Sequence, residues 1–168
     1  ETGNTVEEPI PVDIGWAICD RRGNILKQRS YIVEEVFYGM ADVMTSAYYA
    51  EKIPSYWDEI ETKERQLVSF LHARKIVLNT IEKYDIKVVS AHNARFDVNA
   101  LNNTIRYLTK SAKRYFFPKN IEIWDTLKGA NNTICKQKGY ISFCKENGYM
   151  TKHKTPRVTT MAVRLTVR

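Results

Sequence analysis

The stretch of sequence that decides the fold is Ile86-Lys87-Val88-Val89-Ser90-Ala91-His92-Asn93-Ala94-Arg95-Phe96-Asp97. Its first five residues form a short run that is rich in β-branched side chains, which predicts a strand. An apolar face with helical spacing follows, formed by Ala100, Leu101, Ile105 and Leu108. The chain therefore passes from strand to helix within a few residues. This places Asp97 on the first turn of the helix, where a carboxylate can point over the carboxyl edge of a sheet.

Two strands are predicted upstream of this strand-to-helix junction. Residues 9–19 alternate between apolar and polar side chains and then run apolar, as in a strand. Residues 20–24 have the composition of a turn, and a second strand follows over residues 25–33, so the two strands predict an antiparallel hairpin. Residues 37–56 are aromatic and irregular, and we interpret them as a lid or a connecting segment.

Two more helices are predicted, one before the strand at residues 86–90 and one after a last strand at residues 121–124. Apolar residues at helical spacing predict a helix of roughly twenty residues that ends near Tyr84; they are Leu67, Leu71, Ile76, Val77, Leu78 and Ile81. A strand over residues 121–124 precedes Asp125-Thr126 and a helix that stops at Asn147-Gly148, where glycine suits a left-handed cap. The order β-β-α-β-α-β-α predicts a single α/β domain over residues 1–168.

Charge is unevenly distributed along the chain. The formal net charge is +7, yet residues 1–60 hold five Lys/Arg and eleven Asp/Glu, whereas residues 61–168 hold twenty-one and eight. A basic half of this kind attracts polyanions and makes their binding salt-dependent. Lysine and arginine that simply solvate the surface would give the same composition, so charge alone leaves both interpretations open.

Composition excludes several other classes of protein. The chain has no apolar run of about 18 residues and no basic, then apolar, leader at its start. Cys19, Cys135 and Cys144 are odd in number and form no C-x-x-C pair, which argues against a disulfide framework or a zinc ribbon. We therefore expect a soluble cytoplasmic protein with reduced thiols, two of them on the last helix.

The junction between the strand at residues 86–90 and the following helix also contains a sequence motif. The segment Ala91-His92-Asn93-Ala94-Arg95-Phe96-Asp97-Val98-Asn99-Ala100-Leu101 resembles the second exonuclease motif of the DnaQ-like (DEDD) family, whose pattern is H-N-A-x-F-D followed by an apolar helix. The resemblance implies a ribonuclease H-like fold, in which helices flank a mixed sheet, and a phage or bacterial origin.

The resemblance implies a role for four residues of this motif. Asp97 would be a ligand of Mg²⁺ or Mn²⁺, since a nuclease of this kind uses two such ions about 3.5–4 Å apart. His92, Asn93 and Phe96 would contact the terminal nucleotides of the substrate. Without the rest of the motif, Asp97 would be interpreted as the N-cap of its helix and His92 as a packed or hydrogen-bonded histidine.

The start of the chain resembles part of the family's first motif. That motif is an apolar strand ending in D-x-E-T-T/S-G, and this chain opens with Glu1-Thr2-Gly3 at the right distance from the hairpin. Glu1 would then be a catalytic, metal-binding glutamate, and Thr2 would lie beside the terminal sugar. The motif's aspartate and its strand, which would be the central strand of the sheet, are then expected upstream of residue 1. A flexible acidic terminus is the alternative for Glu1.

The family's third motif is missing. It should read H-x(4)-D or Y-x(3)-D on a last helix, but Glu146 is the only acidic residue after Asp125, and His153 has no aspartate at the required distance. We interpret His153 as part of a basic segment over residues 152–157. Asp125-Thr126 resembles the family's D-T/S pair at a strand end, usually a turn or supporting residue, and we leave Asp125 out of the metal site.

The resemblance implies a 3′→5′ exonuclease that acts on single-stranded DNA 3′ ends for proofreading or end trimming. RNA stays open as a substrate, as does a DNA polymerase as a partner. Since the chain has only part of the first motif and none of the third, we expect these 168 residues alone to be weakly active or inactive. Two rivals remain: a non-catalytic nucleic-acid-binding domain derived from the same fold, and an unrelated α/β domain in which Asp97 faces away from any cleft.

Overall fold

The predicted hairpin forms the first sheet. In the computed structural model, which describes residues 9–45 and 50–156, β1 (Asp13–Cys19) pairs antiparallel with β2 (Ile25–Val33). The turn between them is closed by Asp20, whose Oδ1 accepts hydrogen bonds from the amides of Arg22 and Asn24 at 2.8 and 2.9 Å. Gly23, at φ +83°, supplies the left-handed residue that the turn needs.

A strand that the sequence did not reveal extends this sheet. β3 (Gln66–Val68) pairs parallel with the end of β2, so that Val33 lies opposite Val68. The predicted helix over this region consequently begins later, as α4 (Phe70–Lys83). Ser69 caps it through a hydrogen bond from the amide of His72 at 3.3 Å, and Glu35 Oε2 accepts one from the amide of Phe70 at 2.8 Å.

Residues 37–56, which the sequence predicts to be a lid or a connecting segment, form short helices between β2 and β3 in the part that the structure describes. The elements are α1 (Glu34–Phe37), α2 (Ala41–Thr45), a 3₁₀ turn at Ala50–Lys52 and α3 (Ile53–Glu61). Phe37 and Tyr56 are buried, with ring centroids 6.4 Å apart. These helices are too short to show a clear 3.6-residue period, which explains why the sequence looked irregular.

The second half of the domain is built on a parallel pair of strands. β4 (Val88–Ala91) leads into α5 (Ala94–Thr109), and β5 (Glu122–Asp125) pairs with β4 so that Ala91 lies opposite Asp125. The bounds of the two strands were predicted to within two residues, and a helix was predicted to follow the first of them. The two carboxyl ends meet at one edge of this sheet, which is where ligands bind in open α/β folds.

The single predicted helix after β5 is in fact divided. It consists of α6 (Thr126–Asn132), a 3₁₀ turn at Ile134–Lys136 and α7 (Lys138–Glu146). Cys135 lies in the turn and Cys144 in α7, so the prediction that they share one helix is wrong, although all three cysteines are free. Gly148 has φ +70°, as predicted for the left-handed residue that ends the helix.

The domain is mixed α/β, as predicted, but its strands form two sheets within the described ranges. One sheet has the order β1-β2-β3 and the other pairs β4 with β5. A core packs under the hairpin and α4, and its fully buried side chains include Val12, Ile32, Val33, Val36 and Phe70. None of the described helices is long and apolar enough to cross a membrane.

Candidate functional site

The candidate site lies where β4 passes into α5. Asn93 is the N-cap residue of α5 and adopts the left-handed conformation, with φ 63° and ψ 44°. Its carbonyl accepts a hydrogen bond from the amide of Phe96 at 2.8 Å, which tightens the turn. Asp97 lies in the first turn of the helix, as predicted, and it is not the N-cap. The alternative interpretation of Asp97 as a capping residue is therefore wrong.

Asp125 connects the two strand ends. It is the N-cap of α6, and its Oδ1 accepts a hydrogen bond from the amide of Lys128 at 3.2 Å. The same oxygen accepts one from the amide of Asn93, also at 3.2 Å. Asp125 thus holds the left-handed turn that precedes α5, which agrees with the supporting role that the sequence predicted for it.

The carboxylate of Asp97 lies in an environment that disfavours its charge. The residue keeps an exposed surface, but burial among its neighbours raises the pKa of Asp97 above the usual 3.8, and the charge of Asp125 raises it further. When the nearby imidazole of His92 is protonated, its positive charge acts in the opposite direction on the pKa of Asp97. A divalent cation at this position would relieve the unfavourable charge of Asp97.

His92 is fixed by a hydroxyl group of the neighbouring strand end. Its Nδ1 lies 3.3 Å from Thr126 Oγ1, and the same hydroxyl donates to the carbonyl of Ala91 at 3.3 Å. A hydroxyl has one proton, so with that proton on the Ala91 carbonyl Thr126 accepts from an Nδ1–H of His92. In the neutral tautomer with this Nδ1–H, the Nε2 of the exposed imidazole carries no proton, and it makes no hydrogen bond with residues 9–45 or 50–156. His92 is thus a hydrogen-bonded histidine, with one nitrogen left over for a ligand.

Two further motif residues are at least partly accessible to a ligand. Asn93 is exposed, and its carboxamide makes no hydrogen bond with any part of the chain that the structure describes. Phe96 is half-buried one turn before Ala100, which is buried. A free carboxamide next to a partly accessible ring can contact a nucleotide by hydrogen bonding and by stacking.

The predicted metal site reaches beyond the described residues. Glu1 and Thr2 lie outside them, so their predicted positions beside Asp97 belong to a part of the chain not described. Over residues 9–45 and 50–156, no three His, Cys, Asp or Glu side chains come close enough to hold a metal ion. The donor chemistry of Asp97 nevertheless fits Mg²⁺, which keeps several waters and takes one or two carboxylates from the protein.

The described part of the basic segment, residues 152–156, forms a turn with Thr151. The hydroxyl of Thr151 accepts hydrogen bonds from the amides of His153 at 3.2 Å and Thr155 at 3.3 Å. His153 is exposed in this turn, as expected of a solvated segment.

One supporting residue of the site was missed from the sequence. Thr126 bridges His92 and the end of β4, whereas the sequence identified it only as part of a D-T/S pair, without its contact to His92. Its position after the strand that pairs with β4 was the available signal, because parallel strands end at the same sheet edge.

Comparison of the chain with known proteins found no related protein. No model of a protein family, no curated protein and no solved structure matches the chain. The described part of the site offers one unfavourably placed carboxylate, one free imidazole nitrogen and one free carboxamide around a strand-to-helix crossing.

Proposed function

We propose that this chain belongs to a 3′→5′ exonuclease of the DnaQ-like kind, which hydrolyses the terminal phosphodiester bonds of DNA. One observation carries the proposal. Asp97 occupies the first turn of α5 directly beyond β4, in the setting of the His92-Asn93-Ala94-Arg95-Phe96 segment, at the edge where β4 and β5 both end. This is where a metal-binding carboxylate of such an enzyme would stand, and burial raises the pKa of Asp97, so that a bound cation would stabilise its charged form.

The strand pairing supports a ribonuclease H-like arrangement. Among the described residues, β1 pairs only with β2, and β4 pairs only with β5. Each of these two strands thus has one edge that no described strand covers. A central strand parallel to β4, as expected for this fold, would use such edges and would bring its own carboxylates to the end of β4.

The residues around Asp97 have distinct parts in the proposed reaction. Two bound divalent ions would supply a nucleophilic hydroxide and stabilise the charge on the phosphate. Asp97, together with the predicted ligand Glu1, would hold them. Asn93 would hydrogen-bond the terminal nucleotide, and the ring of Phe96 would stack on it. The Nε2 of His92 would accept a hydrogen bond from the substrate, while Thr126 holds the ring in position.

The proposal is tested by nucleotide release from a 5′-labelled single-stranded oligonucleotide. In Mg²⁺ or Mn²⁺, the natural protein that carries these residues should shorten the strand stepwise from its 3′ end. Asp97→Asn should lower the rate at least a hundredfold, because the substitution removes a ligand while keeping the shape of the side chain. Glu122→Gln is the matched control, since Glu122 is an exposed acid at the opposite end of β5.

Three results would contradict the proposal. Shortening from the 5′ end, activity that persists in excess chelator, and equal rates for Asp97→Asn and the wild type each argue against a two-metal 3′→5′ enzyme. Binding of the oligonucleotide without any release by the natural protein would favour the non-catalytic nucleic-acid-binding domain instead.

A further inference from the structure

The loop after α5 is held rigidly against the core. Phe116 is 1% exposed, its ring centroid lies 5.6 Å from that of Phe70, and its amide donates to Asn102 Oδ1 at 2.8 Å. Arg74 adds two hydrogen bonds, from Nε to the carbonyl of Phe116 at 2.9 Å and from Nη2 to that of Tyr115 at 3.1 Å. Residues next to Phe116 are therefore presented outward on a fixed backbone.

This loop and the last turn of α5 form a surface of one charge. Residues 98–121 contain five Lys/Arg and no Asp/Glu. The surface, which we term the α5 basic surface, consists of Arg106, Tyr107, Lys110, Lys113, Arg114 and Tyr115. None of its four cations forms an ion pair with a carboxylate of residues 9–45 or 50–156. Their charge is thus available to an external polyanion.

The same surface exposes two aromatic rings, each beside a cation. Tyr107 and Tyr115 are each 50% exposed. Lys110 Nζ lies 4.4 Å from the ring centroid of Tyr107, and the guanidinium carbon of Arg106 lies 5.0 Å from that of Tyr115. Arg106 Nε also donates to the carbonyl of Arg114 at 3.3 Å, which ties the helix to the loop. Each pair offers a flat ring for a base and a positive charge for a phosphate.

We propose that the α5 basic surface binds single-stranded nucleic acid at a second site, separate from the candidate site at Asp97. The two sites lie at opposite ends of α5, and the separation of 13 positions from Asp97 to Lys110, the C-cap residue, corresponds to about 20 Å along the helix axis. The inference rests on the proposed function, from which it takes nucleic acid as the class of ligand. It does not require the protein to be catalytically active. Exposed rings favour a single strand over a duplex, because duplex bases are already stacked. The fixed loop lowers the entropy lost on binding.

The first test is the salt dependence of binding, measured without divalent metal. A fluorescein-labelled oligothymidylate of roughly 16 nucleotides is titrated in EDTA over a range of salt concentrations. Lys110→Glu/Lys113→Glu should weaken binding at least tenfold and lower the slope of log K against log salt by about 1.4, or about 0.7 for each lost phosphate contact. Arg21→Glu/Arg22→Glu, in the exposed β1–β2 turn, makes the same charge change and should alter the slope little.

The second test concerns the rings. Tyr115→Ala should weaken binding roughly 5- to 150-fold without changing the salt slope, whereas Tyr115→Phe should bind like the wild type. Inorganic polyphosphate of equal charge, a duplex and an acidic peptide should each compete less well than the oligonucleotide. Thermal melting of every variant checks that the fold is retained.

The outcomes separate this site from the proposed nuclease. Intact binding by Asp97→Asn in EDTA, with a lower affinity for the Lys110→Glu/Lys113→Glu variant, supports a second site whether or not nucleotides are released. Equal weakening by Arg21→Glu/Arg22→Glu, or polyphosphate that competes as well as the oligonucleotide, would overturn the inference and leave a general charge effect. Preferential competition by the duplex or the acidic peptide would overturn it in favour of that ligand.

Discussion

Asp125 Oδ1 accepts a hydrogen bond from the main-chain amide of Asn93 over 3.2 Å. The two residues are 32 positions apart, and the contact exists because β4 and β5 end side by side. The same oxygen caps α6 through the amide of Lys128. One carboxylate therefore holds the N-terminal ends of both α5 and α6 at the candidate site. Because its Oδ1 already accepts these two hydrogen bonds, that oxygen is not free to bind a metal ion.

Replacing Asp125 should separate its structural role from its charge. Asp125→Ala removes the cap of α6 and the acceptor for Asn93, so the free energy of unfolding should fall by about 1–2 kcal/mol. Asp125→Asn should lose little stability, because asparagine is an equally good N-cap. Urea unfolding of both variants measures the difference. If Asn is as destabilising as Ala, the charge matters more than the hydrogen bonds.

The raised pKa of Asp97 predicts a pH dependence of stability. Since its folded-state pKa lies above the usual 3.8, the native state binds more protons than the unfolded chain in the window above pH 3.8. Asp97 therefore makes the protein less stable as the pH rises through that window. Asp97→Asn should be more stable than the wild type at pH 7, and the difference should vanish below pH 3.8. Urea midpoints at several pH values test this.

The same variant tests metal binding without any assay of activity. Mg²⁺ or Mn²⁺ should raise the melting temperature of the wild type, since a ligand that binds only the native state stabilises it. Asp97→Asn should show a smaller increase, while Glu122→Gln should respond like the wild type. Equal increases in all three proteins would place the ion somewhere other than at Asp97.

Much of the fold could be predicted because its longer elements have a clear period. The hairpin alternates over β1 and β2, and α5 has an apolar stripe that contains the buried residues Ala100 and Ile105. β3 was missed because three residues are too few to show alternation, and Leu67 fitted the helical pattern that followed. The helices of residues 34–61 were missed for a similar reason, since none of those described exceeds nine residues.

The position of Asp97 could be predicted because it follows from local order alone, a strand followed by a helix. The hydrogen bonds of Asp125 with Asn93 and of Thr126 with His92 depend instead on which strand lies beside β4. Sequence spacing does not determine that choice of neighbour. The left-handed conformation of Asn93 was also not predicted, although asparagine adopts it more readily than most residues.

Arg65 is predicted to stabilise the first sheet through a partly buried ion-pair cluster. It pairs with Asp13 of β1 and Glu59 of α3, and its guanidinium carbon lies 5.2 Å from the ring centroid of Tyr56. Arg65→Met should cost about 1.5–3 kcal/mol in urea unfolding, because the Asp13 carboxylate, only 10% exposed, loses a charged partner. Lys87→Met, which breaks an exposed pair with Asp85, should cost less than about 1 kcal/mol. Similar costs for the two variants would contradict the prediction.

Asn93 combines a backbone requirement with a free carboxamide, and two substitutions distinguish them. Asn93→Gly satisfies φ 63° without strain, so the protein should be about as stable as the wild type, whereas Asn93→Ala should lose about 1 kcal/mol. Both variants lack the carboxamide. If Asn93 contacts the substrate, both variants should show a raised KM for the oligonucleotide. The increase in KM should be similar for the two variants, although their stabilities differ. A normal KM for Asn93→Gly would mean that Asn93 serves only to shape the turn before α5.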